Sequence, residues 1–135
     1  MSTATNKAIC RRHYEEVLTN RKVAVVDEIY ADQIAYGETQ SMPREQFKMM
    51  AMASTTAFPD LKVTIHAQVA EGNYVVTRWS AAGTHLGDFM GNKPTGKAVH
   101  IQAIHMHEVV DGRICHLWEQ IDLLGLSKQL GITIG

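Results

Sequence analysis

Only two cysteines occur in 135 residues, and they lie far apart at Cys10 and Cys115. That spacing excludes a disulfide framework and gives no metal-ligand pair, so a reducing cytoplasmic setting is the expectation. No apolar run approaches the roughly 20 residues a transmembrane helix needs. The opening segment MSTATNKAICRRHYEEV lacks the unbroken apolar stretch of a signal peptide, and no membrane partner is expected. Neither sign of charge dominates: the formal net charge is −1, with no dense basic run. The electrostatic footprint of a nucleic-acid binder is therefore missing.

What is present is an ordinary globular balance, 45% apolar and 20% charged, which argues against disorder. The length fits one domain spanning residues 1–135 and is enough to bury a core without disulfide or metal. Seven methionines include a group at Met42, Met49, Met50 and Met52. Flexible thioethers suit an irregular apolar cavity as well as an ordinary core.

Helical patterning covers Thr3 to Asn20, with Thr5 as N-cap, and then a shorter stretch over Val23 to Tyr30. Ile34 to Tyr36 reads as a short extended piece followed by a loop. Pro43 sits where a helix over Arg44 to Thr56 starts. Phe58-Pro59-Asp60 ends it, because a residue before proline disfavours the α region. The remainder reads as strands over 61–70, 74–85, 97–110 and 113–122, with a Gly-, Asn- and Pro-bearing loop over 87–96 and a closing helical turn over 123–130. Helices first, then an antiparallel meander, is an α+β pattern with helices on one face of a curved sheet.

Asp111-Gly112 is a strong two-residue hairpin signal, and it sets a register. Val110 opposite Arg113 puts His107 against His116, His105 against Trp118, Ala103 against Gln120 and Ile101 against Asp122. One face then carries Val99, Ile101, Ala103, His105, His107 and Val109 with Ile114, His116, Trp118, Gln120 and Asp122. An apolar wall with isolated polar groups is how a pocket for a hydrophobic small molecule is composed. His105 and Asp122 lie four positions apart on it, roughly 13 Å at ~3.3 Å per residue. A one-residue bulge would invert part of this assignment. The opposite face, with Ile104, Met106, Leu117 and Ile121, is a candidate oligomer interface.

The stretch Gly83-Thr84-His85-Leu86-Gly87-Asp88-Phe89-Met90-Gly91, followed by Pro94-Thr95-Gly96, resembles the GTHxGxFxG…PTG segment of the SnoaL-like polyketide cyclases. Val110-Asp111-Gly112-Arg113-Ile114, Trp118, Asp122 and Gln129-Leu130-Gly131 match the same family's downstream pattern. The resemblance is dense from Tyr74 to Gly131. It implies the nuclear transport factor 2-like fold, a cone of helices and a bent sheet around a deep pocket. It also implies intramolecular aldol ring closure of a polyketide ester without metal or cofactor, in a homodimer or homotetramer. By the same resemblance, the acid/base aspartate falls on Asp122 and an assisting histidine on His105. A glutamine of characterised cyclases falls on Ala103, a departure that Gln120 could compensate from the neighbouring strand.

Each candidate has an ordinary structural alternative. A carboxylate on an apolar wall gains a raised pKa suited to a base, yet Asp122 also stands where it could cap the helical turn from Leu123. His105 could be a hydrogen-bonded core residue. His107 and His116 offer only two metal ligands, too few for a site. His85 points into the cavity mouth or fixes its loop. Of the adjacent Arg78 and Trp79, Trp79 is the expected cavity residue; an inward arginine would instead suit epoxide-hydrolase-like chemistry. Tyr14 resembles in placement the oxyanion-binding tyrosine of ketosteroid isomerase, which shares the implied fold. Tyr36, Phe47, Met50, Phe58 and Trp118 are expected apolar lining. Isomerisation, dehydration or hydroxylation-related chemistry in the same pocket is the first alternative, and a non-enzymatic binding domain the second.

Overall fold

The computed structural model describes residues 2–133. Helix α1, Thr3–Arg12, is capped by the Ser2 side chain, which accepts the Thr5 N–H at 3.1 Å; Ser2 rather than Thr5 is the N-cap. The helix then widens into a π-helical segment, His13–Thr19, closed by Asn20 N–H donating to the Glu15 carbonyl, five residues back. Two adjacent pairs, His13–Tyr14 and Val17–Leu18, turn inward and are buried.

A 3₁₀ turn, Val23–Val25, leads into the short α2, Val26–Ile29, and directly into β1, Tyr30–Tyr36. β1 is longer than the sequence pattern suggested, because its inward residues Tyr30 and Ile34 are separated by charged and polar ones. A further strand, β2 (Gln40–Pro43), occupies what read as loop. Helix α3, Arg44–Ala57, follows Pro43 as expected. Strands β3 (Lys62–Glu71), β4 (Tyr74–Thr84), β5 (Ala98–Val110) and β6 (Arg113–Ile121) form the meander, and α4 covers Leu123–Leu130. The sheet order is β2-β1-β6-β5-β4-β3. β1 runs parallel to β6 while every other pair is antiparallel. The helices cover one face of this curved sheet, and the core lies between, around Tyr14, Tyr30, Ile29, Ile34, Ile114, Leu117 and Leu126.

Asp111 and Gly112 both adopt positive φ, 52° and 78°, the geometry of the tight turn expected for that dipeptide. Val110 pairs with Arg113 and Val109 with Ile114, as read from the sequence. Beyond that the register slips. Glu108 pairs with His116, so Cys115 is an extra residue on β6, a β-bulge. Its thiol lies 3.6 Å from the Glu108 carbonyl. Because side chains alternate with a period of two, one extra residue turns the rest of β6 over. His105 faces Glu119 and Ala103 faces Ile121. Leu117, Glu119 and Ile121 therefore point to the helix-covered side. His116, Trp118, Gln120 and Asp122 go to the outer one, which reverses the expected assignment.

Asp122 has a definite structural task there. Its Oδ1 accepts the Gly125 N–H at 2.9 Å, capping α4. A Cβ on residue 125 would stand 2.3 Å from Asp122 Oδ2, so the close approach requires glycine. The far end of α4 is tied to β5 by Gln129, whose amide bonds the N–H and carbonyl of His100 at 2.7 and 2.9 Å. Asp122→Ala should lower stability by about 1 kcal/mol, a fall of about 4 °C in Tm by calorimetry, whereas Asp122→Asn should retain most of the cap. An unchanged Tm for Asp122→Ala would contradict the capping role.

Candidate active site

Between the sheet and α3 lies a cavity of about 180 Å³. Its walls are mostly apolar: Phe47, Met50 and Ala51 from α3, Phe58 just after α3 and Phe89 from the loop after β4, Trp79 and Ile101 from the sheet, and Leu123 and Leu126 from α4. Five polar side chains interrupt this lining: His13, Tyr36, Ser54, His105 and Glu119.

Glu119 is the one carboxylate among them. His105 Nε2 lies 3.1 Å from its Oε2, an ion-pair separation without full hydrogen-bond alignment. The Tyr36 hydroxyl donates to Oε1. Burial alone would raise the Glu119 pKa, but His105 and Tyr36 together carry it below the ordinary glutamate range. In turn burial, then the bond to Glu119, pushes the Tyr36 phenol up. The outcome is an ionised carboxylate, with a side chain 28% accessible, at the wall of an apolar cavity.

His105 is itself held from behind. The hydroxyl of Tyr14, fully buried, lies 2.9 Å from His105 Nδ1. An ionised carboxylate only accepts, so Nε2 carries the hydrogen directed at Glu119. A second tyrosine–histidine pair lies beside this one. The Tyr30 hydroxyl is 3.0 Å from Nδ1 of His13, whose ring centroid is 6.3 Å from that of His105. Burial, then His105, draws the His13 pKa down to about 3. His107 fills the space behind both rings, at 6.0 Å from His13 and 5.6 Å from His105. It is fully buried, neither of its nitrogens has a hydrogen-bond partner among the described residues, and its pKa is depressed, chiefly by burial.

Of the residues singled out from sequence, the structure gathers His105, Tyr36, Phe47, Met50, Phe58 and Trp79 at the cavity. Tyr14 supports His105 rather than lining the cavity. Arg78, on the opposite parity of β4 from Trp79, lies on the outer face. His85 is fully buried but engaged with its loop: Nδ1 accepts the Thr95 N–H at 3.1 Å, and the ring packs on Phe58 and Phe89. It does not line the cavity, but packs behind Phe58 and Phe89, which do. The Cys115 bulge excludes the other three. Trp118 stacks on His116 and donates from Nε1 to Glu38 at 3.0 Å. Gln120 pairs with Ile104, not Ala103, so it brings no amide into the cavity. Asp122 borders a polar groove on the outer face with Arg78, Gln102 and His100. Glu119 and His13 were missed. Glu119 is recoverable only by allowing for the bulge; His13 lies on the same helical stripe as Tyr14, Val17 and Leu18 and was legible as inward-facing by period, but not as a cavity residue by type.

Among the described residues, no group of three or more His, Cys, Asp or Glu side chains is arranged to hold a metal ion. No helix among them is long and apolar enough to cross a membrane.

The chain matches the family of SnoaL-like polyketide cyclases over residues 8–130. It is 36% identical over 59 residues to the aklanonic acid methyl ester cyclase AcmA of Streptomyces galilaeus; that match spans 44% of this chain and 41% of AcmA. Among solved structures, AclR of Streptomyces galilaeus, described as a candidate hydroxylase, superposes with a TM-score of 0.85 at 26% identity, covering 96% of this chain and 83% of AclR. TsrD of Streptomyces laurentii superposes with a TM-score of 0.90 at 20% identity, covering 98% of this chain and 99% of TsrD; at that identity it shows the shared fold. The helix-covered, curved six-stranded sheet is thus the SnoaL-like and nuclear transport factor 2-like fold, and the chain belongs to the SnoaL-like polyketide cyclase family.

Proposed function

We propose that this protein is a cofactor-independent acid/base enzyme that removes a proton beside a carbonyl of a hydrophobic compound and closes a ring by intramolecular aldol-type addition. The observation that carries this reading is the ionised Glu119 carboxylate in an otherwise apolar cavity, oriented by His105 and Tyr36. Glu119 is the base, and His105 is its positioning partner, fixed by Tyr14. The family, and the cyclase named in AcmA, support ring closure as the use of the carbanion. The likeness to AclR supports a second reading, hydroxylation-related chemistry from the same proton abstraction. Mass spectrometry of the product separates them, since ring closure by addition leaves the mass unchanged and oxygenation does not.

The proton-abstraction step can be read without the natural substrate. 2-Tetralone, an apolar ketone with acidic α-hydrogens, should exchange them for deuterium in the enzyme's presence. Glu119→Gln should slow that exchange at least about 100-fold with the fold intact by circular dichroism, while Asp122→Asn should stay within about threefold of the parent. Loss in Asp122→Asn with activity retained in Glu119→Gln would sink the assignment.

The pH dependence has a definite sign. A carboxyl with a lowered folded-state pKa stays ionised as pH falls through the ordinary glutamate range, and protonates only below it. The acidic limb of the exchange rate should therefore lie below the ordinary glutamate pKa. Stability contributed by the Glu119 contacts is present above that ordinary value and is lost over the same acidic window. A limb at or above the ordinary value would contradict the environment described.

We also propose that the outer sheet face pairs with a second copy, giving the expected homodimer or homotetramer. Leu117 and Ile121 are turned away from this face, but Ile104 and Tyr74 are 48% and 44% exposed on it, beside Met106 and Trp118. Arg78 lies level with Ile104, and Glu108 level with Tyr74. A twofold axis crossing the strands near Met106 sets each arginine toward the other copy's glutamate. Ile104→Lys should shift the mass in light scattering toward the monomer. An unchanged oligomer would rule this face out.

A further inference from the structure

Most polar groups lining the cavity are already committed to one another. His105 is held at Nδ1 by Tyr14 and directs Nε2 to Glu119. Tyr36 donates to Glu119, and Ser54 donates within its own helix to the Met50 carbonyl. The indole nitrogen of Trp79 is buried away from the open space. What remains is His13. Its Nδ1 is occupied by Tyr30, its ring lines the cavity, and its Nε2 has no hydrogen-bond partner among the described residues yet is not among the sealed nitrogens.

The tautomer follows from counting hydrogens. Among the described residues the buried Tyr30 hydroxyl has one hydrogen-bond partner, His13 Nδ1. If Nδ1 carried the hydrogen, the hydroxyl hydrogen of Tyr30 would be left dry without an acceptor, a costly arrangement. Donation from Tyr30 to Nδ1 satisfies both and leaves the ring hydrogen on Nε2. Burial keeps the ring neutral, with a pKa drawn down to about 3, so Nε2–H is a donor that does not discharge its proton into the substrate.

We propose that His13, backed by Tyr30, is a catalytic residue: the hydrogen-bond donor that receives the carbonyl oxygen of the substrate in the cavity it shares with Glu119. This rests on the reading of Glu119 as base. In the step, the C–H bond beside the carbonyl breaks and its proton passes to the Glu119 carboxylate. The C–H electron pair forms the enolate C=C bond, and the carbonyl π pair settles on oxygen, where the Nε2–H of His13 donates. A base with a lowered pKa is weak, so more of the barrier has to be lowered at the oxygen. A fixed neutral donor in a water-poor cavity is suited to that. His13 and Tyr14 are adjacent on the buried face of one helical segment, so each supplies one of the two tyrosine–histidine pairs.

The test is binding of 2-naphthol, an aromatic counterpart of the enol of 2-tetralone, with naphthalene as the same shape lacking oxygen. His13→Phe should weaken 2-naphthol about tenfold, as expected for one lost hydrogen bond in an apolar site, and leave naphthalene within twofold. Tyr30→Phe, which keeps the imidazole but removes the group that sets its tautomer, should weaken 2-naphthol about threefold; if His13→Phe does not fold, this variant decides. Equal loss of both probes, undiminished 2-naphthol binding, or a parent protein that binds naphthalene as tightly as 2-naphthol would overturn the proposal. Repeating the titrations in Glu119→Gln separates the two assignments. His13-dependent binding with exchange intact in Glu119→Gln overturns the role of Glu119 alone; abolished exchange with His13-independent binding overturns that of His13 alone.

Discussion

Alternation along a strand leaves a side chain two choices, and on β6 the extra residue Cys115 makes the choice for every position after it. With the bulge, Glu119 enters the cavity and Asp122 leaves it. Without it, the cavity would contain the Asp122 carboxylate level with Ile101, far along the wall from His105. Instead Glu119 lands directly across from His105. The ion-pair contact, the Tyr36 hydrogen bond and the lowered carboxyl pKa all depend on that placement.

Around this pair the protein has invested in buried polar structure where hydrocarbon would have packed more simply. Two tyrosines each fix one histidine through Nδ1, and a third histidine, His107, is sealed behind them with neither nitrogen partnered among the described residues. Burial of this kind costs stability unless each group is satisfied. The arrangement is therefore better explained by orientation of the cavity-facing groups than by fold maintenance. Asp122 contributes at one remove: by capping α4 it holds Leu123 and Leu126, which line the cavity.

Much of the fold was legible in the sequence because its signals are local. Pro43 marked the start of α3, Asp111-Gly112 the last hairpin, and the long alternating runs the meander. β2 was not legible, since Gln40–Pro43 is too short and polar to show a period. The π-helical winding of His13–Thr19 was not legible either, because it reads as the same apolar rows as an α-helix. Within the site, the β5 face with His105 was correctly aligned, since its pattern is unbroken from Val99 to Val109. Glu119 was hidden for a different reason: Cys115 and Ile114 are equally acceptable inward residues by type, and only three-dimensional pairing shows which one is extra. The motif-level resemblance placed the carboxylate on Asp122 because an aspartate stands there, and chain position alone does not tell which face a residue occupies.

The most direct test is a crystal structure of the protein with 2-tetralone in the cavity. The ketone's α-carbon should lie about 3–3.5 Å from a Glu119 carboxylate oxygen, the separation of a near-attack geometry, with Asp122 outside and capping α4. A ketone held against Asp122, with Glu119 turned to the outer face, would contradict this placement.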